Sequence, residues 1–186
     1  GEIISVGKIK IKAIHTPGHT IESTCYLLFD EKGKERALFS GDTLFIGDVG
    51  RPDLAVKSNL TKEDLAGLLF DSLRNKILPL DNEIIVYPAH GAGSACGKNI
   101  SKETFDLLGN QKQTNYALNK NLKKEDFIKE VLDGILPPPQ YFPKNVKLNK
   151  TTINKTLEEI IITGSKPLSI QDFDNEVKKG ALILDV

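Results

Sequence analysis

Residues 8–14, KIKIKAI, alternate lysine with apolar side chains. This two-residue period predicts a half-buried strand with its lysines outward and Ile9, Ile11 and Ala13 inward. The run STCYLLFD (23–30) is apolar on both faces and predicts a buried strand. EKGKE makes a turn, and RALFSGD (36–42) reads as the hairpin partner. A loop rich in Gly, Asp and Pro follows, IGDVGRPDL. At Thr61 the period changes: Leu65, Leu68, Leu69, Leu73 and Ile77 recur at helical spacing, and TKED before them has the form of a weak capping box. NEIIVY (82–87) predicts a third strand of the buried kind and runs into PAHGAGSACG.

Two further helices are expected near 101–113 and 123–133. The second places Phe127, Ile128 and Val131 on one face and stops at Gly134 before three consecutive prolines. Residues 136–150, LPPPQYFPKNVKLNK, read as a linker, because prolines exclude regular helix or central strand. Beyond it, SIQDFDNEVKKG predicts a short capped helix and ALILDV (181–186) a buried strand, the opening of a second α/β unit. There is no internal repeat and no low-complexity segment.

Composition narrows the class. The hydrophobic fraction of 39% supports a real core, and 25 basic against 25 acidic residues leave no charge excess. That balance argues against nucleic-acid and membrane-surface partners. No apolar run approaches the roughly 18 residues of a spanning helix. Two cysteines, Cys25 and Cys96, make no disulfide framework, so a reducing, cytoplasmic setting is the expectation. The chain has no methionine, opens inside what reads as ongoing structure and stops just after an apolar run. A piece of a longer protein is therefore expected.

Only three histidines are present, and two lie in IHTPGHT (14–20). His19 follows the strand 8–14, Asp42 ends the strand 36–42, and His90 follows the strand 82–87. Residues just past the ends of apolar strands meet at one edge of a sheet, where loops build sites. Two imidazoles and a carboxylate suit zinc, iron or manganese. Each residue also has a plainer reading: His19 and His90 as solvated loop histidines, Asp42 as a turn former or helix cap. His15, between the strand and Thr-Pro, is assigned a structural role or that of orienting a ligand imidazole. Cys25, in mid-strand, is assigned to the core.

Three segments carry a resemblance. HTPGHT, SGDTLF and YPAHG, in that order, resemble the later metal motifs of the metallo-β-lactamase superfamily, over about Gly7 to Asn145. The resemblance implies that His19 and Asp42 bind metal and that His90 completes the second position in two-metal members. FIGDVGRPDL, GAGSACGKN and PPPQYFPKN are similar to the persulfide dioxygenase branch in its bacterial form fused to rhodanese-like domains. PLSIQDFDNEVKKGALILDV resembles the start of such a domain. Glyoxalase II shares HTPGHT and GDTLF but usually has a Gly-Cys-Gly-Arg loop after them. The superfamily's first motif, His-x-His-x-Asp-His, is absent and is expected upstream of Gly1, so the chain alone is expected to be inactive.

The implied fold is α/β: the C-terminal half of an αββα sandwich over residues 1–145, then linker and the start of a rhodanese-like domain over 146–186. The implied activity is oxidation of a low-molecular-weight thiol persulfide by O2 to sulfite and free thiol, on one Fe(II) per chain held by His19, Asp42 and a missing histidine. His90 would then stand beside the metal. Arg51 matches an arginine that grips the anionic thiol substrate, with a surface ion pair to Asp48 or Asp53 as the alternative. Cys96 could meet the persulfide or simply be packed. A homo-oligomer is expected. The alternatives are a binuclear thioester hydrolase of the glyoxalase II type, with zinc or a second metal, and a metal-poor scaffold.

Overall fold

The computed structural model describes residues 1–54, 60–151 and 156–183. The chain divides into two compact units, Gly1–Pro138 and Pro139–Val186, with the break inside the proline run.

The first unit is built on one six-stranded sheet whose spatial order is its sequence order. Its strands are β1 (Ile3–Val6), β2 (Ile9–His15), β3 (Thr24–Phe29), β4 (Glu35–Gly41), β5 (Ile85–Pro88) and β6 (Asp106–Leu107). All neighbours are antiparallel except β4 and β5, which run parallel. The β3–β4 hairpin is closed by Asp30, whose carboxylate accepts from the Lys32 and Lys34 amides, both at 2.9 Å.

A parallel pair needs a crossover, and here it is helical. Helix α1 (Lys62–Ser72) starts at Thr61, whose hydroxyl accepts from the Asp64 amide while the Asp64 carboxylate accepts from the Thr61 amide. The box read in TKED is thus formed. The helix continues as a wider π-turn over Leu73–Ile77. Ala66, Leu69, Leu73 and Ile77 are fully buried against Leu27, Leu38, Ile84 and Val86 of the sheet side, with Phe127 and Val131 of α3 (Lys124–Leu132) beside them. Each such leucine contributes roughly 1.5–3 kcal/mol.

The expected helix at 101–113 is shorter. Residues 101–105 are not helical, Asp106 and Leu107 pair with Val86 and Ile85, and α2 spans Leu108–Thr114. The Ser101 amide donates to the Ile46 carbonyl, a partner outside any helix.

The strand at 8–14 forms, but its alternation is the reverse of the expectation. Lys12 pairs with Leu27 and Ile14 with Cys25, so they share the helix-covered face; Ile11 and Ala13 pair with Leu28 and Tyr26 on the opposite face. On that opposite face lie Tyr26, Phe39, Tyr87 and Phe105, each 38–56% exposed, with Phe39 stacked on Tyr87 at 5.7 Å and Tyr87 against Phe105 at 5.8 Å. Both faces of the sheet are therefore apolar, which explains strands without a clean polar side.

In the second unit, α4 (Phe142–Lys150), α5 (Leu157–Gly164) and α6 (Ile170–Lys178) follow one another. The expectation of no helix in 136–150 fails from Phe142 onward. Its proline lies in the first turn, where the missing N–H would have had no partner. Helix α6 forms with the Ser169 hydroxyl accepting from the Asp172 amide. Of the expected strand 181–186, residues 184–186 lie outside the described residues, and Ala181–Ile183 form no strand. Among the described residues no helix is long and apolar enough to cross a membrane.

Candidate metal centre

His19 sits in the loop between β2 and β3. Thr16 is buried and shares a 2.8 Å hydrogen bond with the Thr43 hydroxyl; the Pro17 carbonyl accepts from Ser72 Oγ at 2.8 Å. Gly18 lies so close to α1 that a Cβ would fall 2.5 Å from the Leu69 Cα. The Thr-Pro-Gly turn is thereby clamped to the helix. His15 points elsewhere: its Nε2 bonds the Ile21 carbonyl at 2.6 Å, closing the loop's far end. His19 Nδ1 donates to the Arg51 carbonyl at 2.8 Å, which fixes the tautomer and leaves the Nε2 lone pair free.

That Nε2 faces Asp42. It lies 3.7 Å from Asp42 Oδ2, while His90 Nε2 lies 3.1 Å from Oδ1. The parallel β4–β5 pair makes this meeting: Gly41 pairs with Pro88 and its carbonyl accepts from the Ala89 amide, so the residues after both strands emerge side by side. The edge of the His90 ring meets buried Phe45, ring centroids 6.0 Å apart. The structure thus brings together His19, Asp42 and His90.

A third loop closes on the same point. Asp48 is buried, and its Oδ2 accepts from the Lys98 and Asn99 amides at 2.6 and 2.7 Å. Asn115 Nδ2 donates to the Asp48 carbonyl, and Gln111 Oε1 accepts from the Gly47 amide. These ties hold the 94–99 loop so that one ligand atom each of Asp42, His90 and Cys96 lies within 4.8 Å of the others. Asp48, Gln111 and Asn115 carry no sequence signal for this role, because each acts on a segment far away in the chain.

Arg51 forms the ion pair with Asp53, the alternative to substrate binding, and its side chain is buried rather than at the surface. Its side chain is 6% exposed, forks onto Asp53 with two 2.7 Å hydrogen bonds, and donates to the Ala95 and Leu136 carbonyls. The guanidinium holds the loops together; the residue reaches the site through its backbone carbonyl. Cys25 lies in the core with its thiol donating to the Ser40 carbonyl, and burial pushes its pKa up despite hydrogen bonds from Thr16 and Thr43.

The donor set fits a divalent transition metal. Asp42 Oδ1 is buried and accepts no well-aligned hydrogen bond among the described residues. A buried carboxylate oxygen without a donor is costly. A cation beside Asp42 Oδ1, on the side where His90 Nε2 lies 3.1 Å away, would satisfy that oxygen; one beside Oδ2 would take the free lone pair of His19 Nε2.

No family model matches the chain. A hydroxyacylglutathione hydrolase of Dictyostelium discoideum is 34% identical over 82% of this chain and 58% of its own length. The crystal structure of a metallo-beta-lactamase from Staphylococcus aureus subsp. aureus COL is similar over 82% of this chain and 43% of its own, at 38% identity and a TM-score of 0.71. That of ETHE1 from Myxococcus xanthus is similar over 80% and 56%, at 28% identity and a TM-score of 0.61. The chain spans about half the length of the curated relatives it matches. Likeness in both sequence and fold supports the metallo-β-lactamase superfamily as the family of this chain.

Proposed function

We propose that this chain belongs to an iron-dependent persulfide dioxygenase, which oxidises a low-molecular-weight thiol persulfide with O2 to sulfite and the free thiol. In this reading the parent polypeptide also carries a rhodanese-like domain. His19 Nε2 and Asp42 are two of the three protein ligands, and the third is a histidine supplied from outside the described chain. Fe(II) bound there would supply adjacent positions for O2 and a soft sulfur donor. The chain's own residues do the positioning. The Arg51 carbonyl holds the His19 tautomer, Phe45 and His90 line the side next to Asp42, and Cys96 stands beside them.

The observation that carries this reading is the 45–54 segment. It replaces the Gly-Cys-Gly-Arg loop of glyoxalase II with FIGDVGRPDL, and here it supplies the His19 anchor directly. The likeness to ETHE1 over most of the chain supports it further.

A second reading has its own observation. Asp42 directs one oxygen to each histidine, the arrangement of a carboxylate shared by two ions, and the Dictyostelium relative is a hydroxyacylglutathione hydrolase. A binuclear thioester hydrolase would use the same three residues with an activated water.

The deciding experiment is O2 uptake by the parent-length, Fe(II)-loaded protein given glutathione persulfide or coenzyme A persulfide, with sulfite quantified. Stoichiometric sulfite, lost in His19→Ala and Asp42→Ala, is expected. Thiol release from a glutathione thioester without O2 uptake, on protein holding two metals, would replace this reading with the hydrolase.

A further inference from the structure

We infer that Lys12 and Lys76 form an anion-binding pocket for a small phosphate monoester, on the helix-covered side of β2. The pocket uses none of His19, Asp42, His90 or Cys96, so it stands whichever activity the parent protein has.

Lys12 belongs to the strand KIKIKAI, whose lysines were expected to face outward. Instead it lies on the covered face, half-buried and paired with fully buried Leu27. A lysine placed there needs an opposite charge or a path to water. Lys8, Lys124 and Lys179 each reach a carboxylate, whereas Lys12 and Lys76 make no ion pair among the described residues.

Lys76 reaches the same place from the other side. It lies in the π-turn that follows α1, a local form that concentrates at functional sites. Its Nζ donates to the His15 carbonyl at 2.5 Å, which fixes the ammonium against β2 and leaves two of its three N–H groups for a ligand. Both lysines line one cavity of about 400 Å³ together with Asn75, Ile14 and Leu80, and no Asp or Glu lines it. That volume is of small-molecule size. Two cations that share a cavity repel each other, and a dianion between them removes the repulsion. Lysine binds phosphate as a point charge, the Asn75 amide can donate to a further oxygen, and Ile14 and Leu80 give the carbon side of an ester an apolar wall.

The test is acetylation of lysines on the unmodified chain, read by peptide mass mapping at rising phenyl phosphate, with ionic strength held constant by chloride. Acetylation of Lys12 and Lys76 should slow together with one shared midpoint, by about tenfold when the ligand stands at ~10 times its dissociation constant. Lys8 and Lys34, both exposed, should keep their rates. In Lys12→Gln, checked for folding by circular dichroism, Lys76 should lose its protection. Equal slowing of Lys8 and Lys34 would mean general screening and overturn the inference. So would separate midpoints, no slowing, the same slowing by phenol, or protection of Lys76 that survives Lys12→Gln at the same midpoint. If that variant does not fold, the shared midpoint in the unmodified chain decides the matter.

Discussion

Gly50 has room for a hydrogen and nothing larger. A Cβ there would lie 1.9 Å from the Asp42 carbonyl oxygen and 3.1 Å from His19 Nδ1. Gly50→Ala is therefore expected to cost about 1–3 kcal/mol and to lower metal retention together with stability, read by thermal unfolding and by metal content after dialysis. A variant that melts like the parent and keeps its metal would show that the loop has slack. Asp48 makes a second prediction. Replacing it with Ala strands the Lys98 and Asn99 N–H groups, and a loss of about 1–3 kcal/mol is expected from these donors. Alkylation of Cys96 should change alongside it, since the same loop carries both. At this scale the meeting of His19, Asp42 and His90 was legible because each sits in a turn at the end of an apolar strand. Asp48 was not legible, because a buried carboxylate bonded to distant amides looks, in one dimension, like any loop aspartate.

At the scale of elements, Asp106 joins β6 to α2. Burial pushes its pKa up, but hydrogen bonds from Asn110, Gln111 and the Leu107 amide outweigh this and hold it below the ordinary value. A depressed carboxylate adds stability above its unfolded pKa, about 3.9, and loses that contribution as pH falls through the lower folded value. Asp106→Asn should thus be less stable than the parent at neutral pH, and the gap should close on acidification below about pH 4. A gap independent of pH would assign the effect to packing instead. The strands β2 to β5, α1, α3 and α6 follow from periodicity and caps. The exposed β1, IISV, has strand-favouring residues but is too short to show a period, and it is held by pairing with β2. Helix α4 was hidden by prolines that precede or open it.

The whole molecule shows a sheet with apolar character on both sides. One side is covered by α1 and α3; the other presents Tyr26, Phe39, Tyr87 and Phe105. An exposed aromatic patch of this kind marks a surface that associates. The chain by itself is expected to sediment as species that grow with concentration, and Phe39→Glu should shift them toward smaller ones. Monomer behaviour unchanged by that substitution would contradict the expectation. Periodicity pointed to this poorly, because an alternating strand does not say which of its faces the helices will take.

The parallel pairing of β4 with β5 has a consequence in time. Asp42 and His90 are far apart in the chain and become neighbours only when the α1 crossover has folded and that pair has closed. Contacts of such long sequence separation are slow to form. An ion that needs both residues can report this closure but cannot come before it. Metal capture during refolding would then serve as a clock for the crossover, running at the pace of the chain and indifferent to how much metal is supplied.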